Sequence, residues 1–71
     1  MNTAPTQIVY NGQPLAIAVG STIADVLTQQ QVRTELVAVE VNLEIVPKPM
    51  HSQTRLNEGD LVEVVTLVGG G

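Results

Sequence analysis

Residues 61–71 read LVEVVTLVGGG, an apolar run that passes directly into three glycines. In this run β-branched and aliphatic residues flank a single charge, Glu63, a pattern that predicts a strand with one covered face and one open face. Glu63 must face water, because an unpaired charge is rarely buried, and this sets the phase. Val62, Val64 and Val68 then point inward with Thr66 in the same register, while Leu61, Val65 and Leu67 share the open side with Glu63. A strand in a core needs no glycine tail, and a linker would lead to a further domain. The tail therefore needs a reason of its own.

The rest of the chain supplies the layers around this strand. Residues 7–10 predict a first strand, with Ile8 and Tyr10 inward and Gln7 and Val9 outward. Asn11-Gly12 tolerates positive φ at both positions and predicts a hairpin. Residues 14–19 alternate Leu15, Ile17 and Val19 with Ala16 and Ala18, so they pair back as a second strand. Gly20-Ser21-Thr22 ends that strand. Thr22 followed by Asp25 fits a capping box, and Ile23, Val26, Leu27 and Gln30 fall at helical spacing, predicting a helix over 22–31. Residues 36–41 form the third strand, and Glu40 turns Val37, Val39 and Val41 inward. Asn42-Leu43 is a turn, and 44–46 a short fourth strand ended by Pro47. Neither Pro47 nor Pro49 has an amide hydrogen for a central ladder. Residues 51–57 are polar and expected to form a loop, and Glu58-Gly59-Asp60 a turn.

One helix covers one face of one sheet, which makes the class α+β rather than alternating βα units. The compact solution places the last strand beside the first, in the middle of a mixed sheet of four to five strands packed on one helix. This is the β-grasp, or ubiquitin-like, arrangement. The expected organisation is a flexible extension at 1–6, the folded domain at 7–68, and a flexible tail at 69–71.

Composition narrows the function. In 71 residues there is room for one core only. No cysteine is present, which excludes a disulfide framework, a thiolate metal site and a cysteine nucleophile. Any sulfur chemistry would use a sulfur atom brought from outside the chain. The net charge of −4 argues against nucleic acid, which calls for basic patches, and suits a basic protein partner. His51 is the only histidine and has no companion ligands, so no metal site is expected. No Ser/His/Asp arrangement or phosphate loop is present, so the chain alone is expected to catalyse nothing. Lys48 is the only lysine, which disfavours a modifier that polymerises on itself. Residues 1–6 lack the features of a secretory signal. No apolar run approaches the roughly 20 residues that cross a bilayer. The expectation is a soluble, cytoplasmic protein, monomeric when free.

The tail fits one kind of chemistry. A terminal carboxylate is unreactive until activated, and adenylation by ATP to a mixed anhydride is the usual means. An activating enzyme must thread the terminus through a narrow channel, which suits residues without a Cβ. Gly69 and Gly70 are then the threading arm, and Gly71 carries the reactive carboxylate. Beside the tail, Val9, Leu61, Glu63, Val65 and Leu67 form the candidate docking face, with Ala16, Ala18 and Ala38 adding small apolar area. A contiguous apolar patch on so small a chain predicts a docking site.

Three segments carry a family resemblance: IVYNG at 8–12, AVEVNLEIVPK at 38–48 and EGDLVEVVTLVGGG at 58–71. Over residues 7–71 the chain resembles the sulfur carrier proteins of thiamine biosynthesis, the ThiS family. The resemblance implies that Gly71 is adenylated by an E1-like adenylating enzyme and converted to a thiocarboxylate. It further implies that the sulfur comes from a cysteine desulfurase or other donor and is passed to thiazole synthase for the thiazole ring. No cofactor is bound on this reading, since the ATP is used by the activating enzyme. Gly70-Gly71 matches the family's functional motif, Gly69 extends it, and Leu67 and Val68 would stand at the channel mouth. The Asn42-Leu43 turn departs from the easier Asn-Gly. The small subunit of molybdopterin synthase resembles the same plan and also carries a terminal thiocarboxylate. It tends to be longer, with aromatic residues in the last strand, where LVEVVTLV has none. Three further alternatives are another ubiquitin-like sulfur carrier serving a different sulfur-containing metabolite, a non-covalent β-grasp binding module and a protein modifier forming isopeptide bonds.

Overall fold

The computed structural model describes the backbone of residues 4–67 and, Thr34 apart, their side chains. In chain order the elements are β1 (Thr6–Tyr10), β2 (Gln13–Ile17), α1 (Ile23–Gln29), β3 (Val37–Val41), β4 (Glu44–Val46) and β5 (Leu61–Thr66), with short 3-10 turns at Thr34–Leu36 and Lys48–Met50. The sheet has five strands in the order β2-β1-β5-β3-β4. The last strand is central, parallel to β1 and antiparallel to β3. With α1 against one face, this is the β-grasp.

Local sequence accounts for the elements. Asn11 (φ 47°) and Gly12 (φ 83°) both take positive φ in the β1–β2 turn, the backbone that suits a right-twisted two-residue hairpin. Thr22 caps α1: its Oγ1 accepts from the Asp25 N–H at 3.2 Å, and the Asp25 carboxylate accepts from the Thr22 N–H at 2.9 Å. Ile23, Val26 and Leu27 are buried against Ile8, Ile17, Val39, Leu56 and Val62. Each such side chain contributes roughly 1.5–3 kcal/mol on burial. Tyr10 packs at the rim of this core, where burial pushes its phenol pKa up.

The parity set by Glu40 and Glu63 holds for both long strands. Val39 and Val62 are buried, and Val37, Val41 and Val64 are half-buried against the core. Other expectations need correction. The helix stops at Gln29 rather than 31, because Gln31 enters the left-handed region (φ 59°) and the Val32 N–H returns to the Leu27 carbonyl at 2.9 Å. The second strand is Gln13–Ile17, not 14–19. Val19, expected inside, is 65 % exposed in the turn that follows. Ala18 also lies outside the strands. β3 begins at Val37 because Leu36 is taken into a 3-10 turn. β5 ends at Thr66, and Thr66, expected inward, is exposed. Val68 lies outside the described residues.

The largest correction is at 51–57. This polar stretch closes the core beside the start of α1: Leu56 is 3 % exposed and His51 4 %. The Ala24 N–H donates to the His51 carbonyl, Ile23 N–H to the Thr54 carbonyl, and Leu56 N–H to the Ser21 carbonyl. The His51 ring meets the Val46 carbonyl at 3.0 Å through Nε2. A carbonyl only accepts, so Nε2 carries the proton, and the buried Nδ1 has no partner among the described residues.

Two asparagine side chains secure β5. Asn11 Oδ1 accepts from the Val64 N–H at 2.7 Å and its Nδ2 donates to the Val64 carbonyl at 3.3 Å. From the other flank, Asn42 Oδ1 accepts from the Leu61 N–H at 3.0 Å. Asn42 (φ 52°) and Leu43 (φ 72°) form the β3–β4 turn, so the leucine adopts a backbone that costs a residue with a Cβ about 1–2 kcal/mol.

Two outcomes follow in urea unfolding. Leu56→Ala loses about 2–4 kcal/mol, whereas a true solvent loop would lose almost nothing. Leu43→Gly gains about 1 kcal/mol by relieving the left-handed strain.

Candidate functional site

The face of the sheet turned away from α1 is built by parity. On β5, Leu61 is 47 % and Val65 54 % exposed, and Leu67 just beyond is 65 % exposed. Leu67 still continues the ladder, its N–H donating to the Leu36 carbonyl at 2.7 Å. Glu63 is exposed between Leu61 and Val65. Val9 on β1 lies beside Leu61 in the parallel register and is half-buried. Ala38 on β3 stands opposite Val65, and Ala16 on β2 opposite Gln7. The five expected docking residues thus share one surface. The candidate reactive residues Gly69, Gly70 and Gly71 lie outside the described residues.

The sequence reading overlooked part of this face. Ile45, 68 % exposed, pairs with Glu40 across the β3–β4 hairpin and so shares its side. The signal was available, because a two-residue turn at Asn42-Leu43 sets 45 opposite 40. Leu43, 83 % exposed, projects at the tip of that hairpin.

Of the acidic residues near β5, two serve the backbone. Glu58 accepts from the Gln7 N–H at 2.9 Å, and Asp60 from the Asn57 N–H at 2.8 Å and from Asn42 Nδ2 at 3.1 Å. Glu63 makes no such bond among the described residues and stands exposed on the open face. A cleft of about 440 Å³ lined by Ala24, Lys48, Pro49, His51 and Ser52 lies on the helix side instead. Among the described residues, no group of His, Cys, Asp and Glu is placed to hold a metal ion. No described helix is long and apolar enough to cross a membrane.

The ThiS family model matches residues 8–71, from the first buried isoleucine through the last glycine. The chain belongs to the ThiS family. It is 31 % identical over 65 residues to the sulfur carrier protein ThiS of Escherichia coli, covering 92 % of this chain and 98 % of that one. A crystal structure of a thiamine biosynthesis protein (ThiS) from Geobacter metallireducens superposes with a TM-score of 0.81 at 29 % identity, covering 93 % of this chain and 100 % of that one. The chain is also 40 % identical over 65 residues to a thiazole synthase of Paramagnetospirillum magneticum, covering 92 % of this chain but only 20 % of that protein's length. A ThiS-like segment thus accounts for about a fifth of that longer relative.

Strand parity can be checked with a pair of variants. Val65→Asp keeps the folded circular dichroism spectrum, because its side chain already meets water. Val64→Asp, one residue away, puts a charge against the core and loses about 3 kcal/mol or more. Equal losses at the two positions would mean that the open face is misassigned.

Proposed function

We propose that this chain is a sulfur carrier of thiamine biosynthesis, a protein co-substrate whose chemistry takes place at Gly71. The observation that carries the reading is the ThiS match, which runs through Gly71 itself, joined to a sheet whose central strand, β5, is the last element before the glycines. In the first step an oxygen of the Gly71 carboxylate attacks the α-phosphorus of ATP and pyrophosphate leaves, giving an acyl adenylate. A donor persulfide then attacks the Gly71 carbonyl carbon and AMP leaves, and a thiol cleaves the resulting acyl disulfide at the donor's sulfur, leaving the donor and that thiol joined as a disulfide. A thiocarboxylate results, and it delivers its sulfur to the thiazole under construction.

On this reading the chain supplies the carbonyl and the means of presenting it, while the catalytic groups belong to its partners. These are an E1-like adenylating enzyme, thiazole synthase, and a cysteine desulfurase or another sulfur donor acting directly or through the activating enzyme. The longer relative bearing the name thiazole synthase supports the second of these. ATP is bound by the activating enzyme and not by this chain. Glycines at 69–71 let the backbone enter a narrow channel in whatever conformation it imposes. Val9, Leu61, Glu63, Val65 and Leu67 hold the partner beside that channel. The setting is the cytoplasm, where ATP is available.

The intact mass of the chain decides this. After incubation with the activating enzyme, ATP and a sulfur source, one oxygen is replaced by sulfur, and a thiol-selective alkylating label maps to Gly71. An unchanged mass under conditions that load a known ThiS protein would remove the carrier reading. Gly71→Ala keeps the fold and loads far more slowly, because the added Cβ meets the channel wall.

A further inference from the structure

Glu40 on β3 and Glu63 on β5 are direct partners in the antiparallel register, and both leave the sheet on the open face. Partners of this kind hold their Cβ atoms about 4.5–5.5 Å apart, and like charges so placed destabilise a sheet. Nothing in the described fold offsets the pair. The one ion pair among the described residues joins Arg33 and Glu35 at 3.9 Å, before β3. Asp25, Glu58 and Asp60 each accept a backbone N–H, whereas Glu40 and Glu63, like the hairpin and turn residues Glu44 and Glu35, accept none among the described residues. Their surroundings are aliphatic. Ile45 flanks Glu40 across the hairpin, Ala38 precedes it by two residues, and Leu61 and Val65 bracket Glu63 along β5. The sheet therefore presents two facing carboxylates in the middle of an apolar surface.

We infer that this couple seats one cationic side chain, an arginine, from the thiazole synthase that docks on the open face. A planar guanidinium has enough donors to bridge two carboxylates, and an apolar surround excludes water from the contact, strengthening it. Repulsion that weakens the free chain becomes attraction in the complex, and the same pair disfavours partners with an acidic or purely apolar surface. The inference rests on the open face being the docking surface, as proposed above.

The test uses the full chain and the thiazole synthase of the same organism, with dissociation constants measured at about 0.01 and 0.15 M salt. Glu40→Gln and Glu63→Gln each raise the melting temperature by about 1–5 °C. Each also weakens binding about tenfold at low salt and flattens its salt dependence. Glu40→Lys goes further in both directions, since its ammonium pairs with Glu63 inside the chain and displaces the partner's cation. Val65→Asp serves as the control for the face and abolishes binding. If Val65→Asp abolishes binding while the glutamine variants bind like the unaltered chain at both salts, the cation seat is wrong and the docking face stands. If Val65→Asp also binds normally, the docking reading itself is wrong. A melting temperature lowered by both glutamine substitutions would show that the pair is not repulsive, which overturns the premise.

Discussion

The structure depends on how β5 is held. A strand in the middle of a sheet is secured from both flanks, but β1 runs parallel to it for only a short ladder, Val9 with Leu61 and Tyr10 with Val62. The chain then turns away at Asn11-Gly12. The Asn11 side chain takes over, giving Val64 an acceptor and a donor as a further backbone amide would. Asn42 meets the Leu61 N–H from the β3 flank. Both asparagines sit at positive φ in hairpin turns, a conformation that asparagine tolerates better than most residues. The same residues thus close the turns and fix the strand between them.

Fixing β5 matters because side chains alternate between faces. A slip of one residue would move Val62 and Val64 out of the core and bring Glu63 in. With the register pinned, the inward residues complete the core under α1 and the outward ones stay on the open face. A single helix can cover only one side of five strands, so the other side is open by construction. The segment 51–57 lies on the helix side, where Leu56 and His51 close the core near the start of α1.

What could be read in the sequence follows from where periodicity exists. The capping box at Thr22 and Asp25, the inward set on β3, and Val62 and Val64 on β5 were legible, because a charge at Glu40 or Glu63 fixes the phase around it, though not out to Thr66, which is exposed at the strand's end. The Asn11-Gly12 turn was legible from its backbone demands. The buried roles of His51 and Leu56 were not, since an irregular segment has no period and its burial depends on contacts distant in sequence. Val19 was misjudged because alternation continues in the letters after the strand has ended in space. The asparagine bonds to β5 were hidden for a related reason: a turn motif describes local geometry and says nothing of what its side chain reaches. At the candidate site, parity placed Val9, Leu61, Glu63, Val65 and Leu67 on one face, and the hairpin register that adds Ile45 was overlooked.

The mount also sets a leash. From Leu67, whose N–H bonds to the Leu36 carbonyl, four residues lead to Gly71, and a fully extended chain advances at most about 3.3–3.6 Å per residue. The stretch between them therefore spans no more than roughly 14 Å. Any protein that works on this residue must place its reacting centre within that radius of the end of β5, whatever else it touches. Proteins of unrelated architecture that share this chain would then converge on one spacing between the surface that grips β5 and the cavity that receives its end.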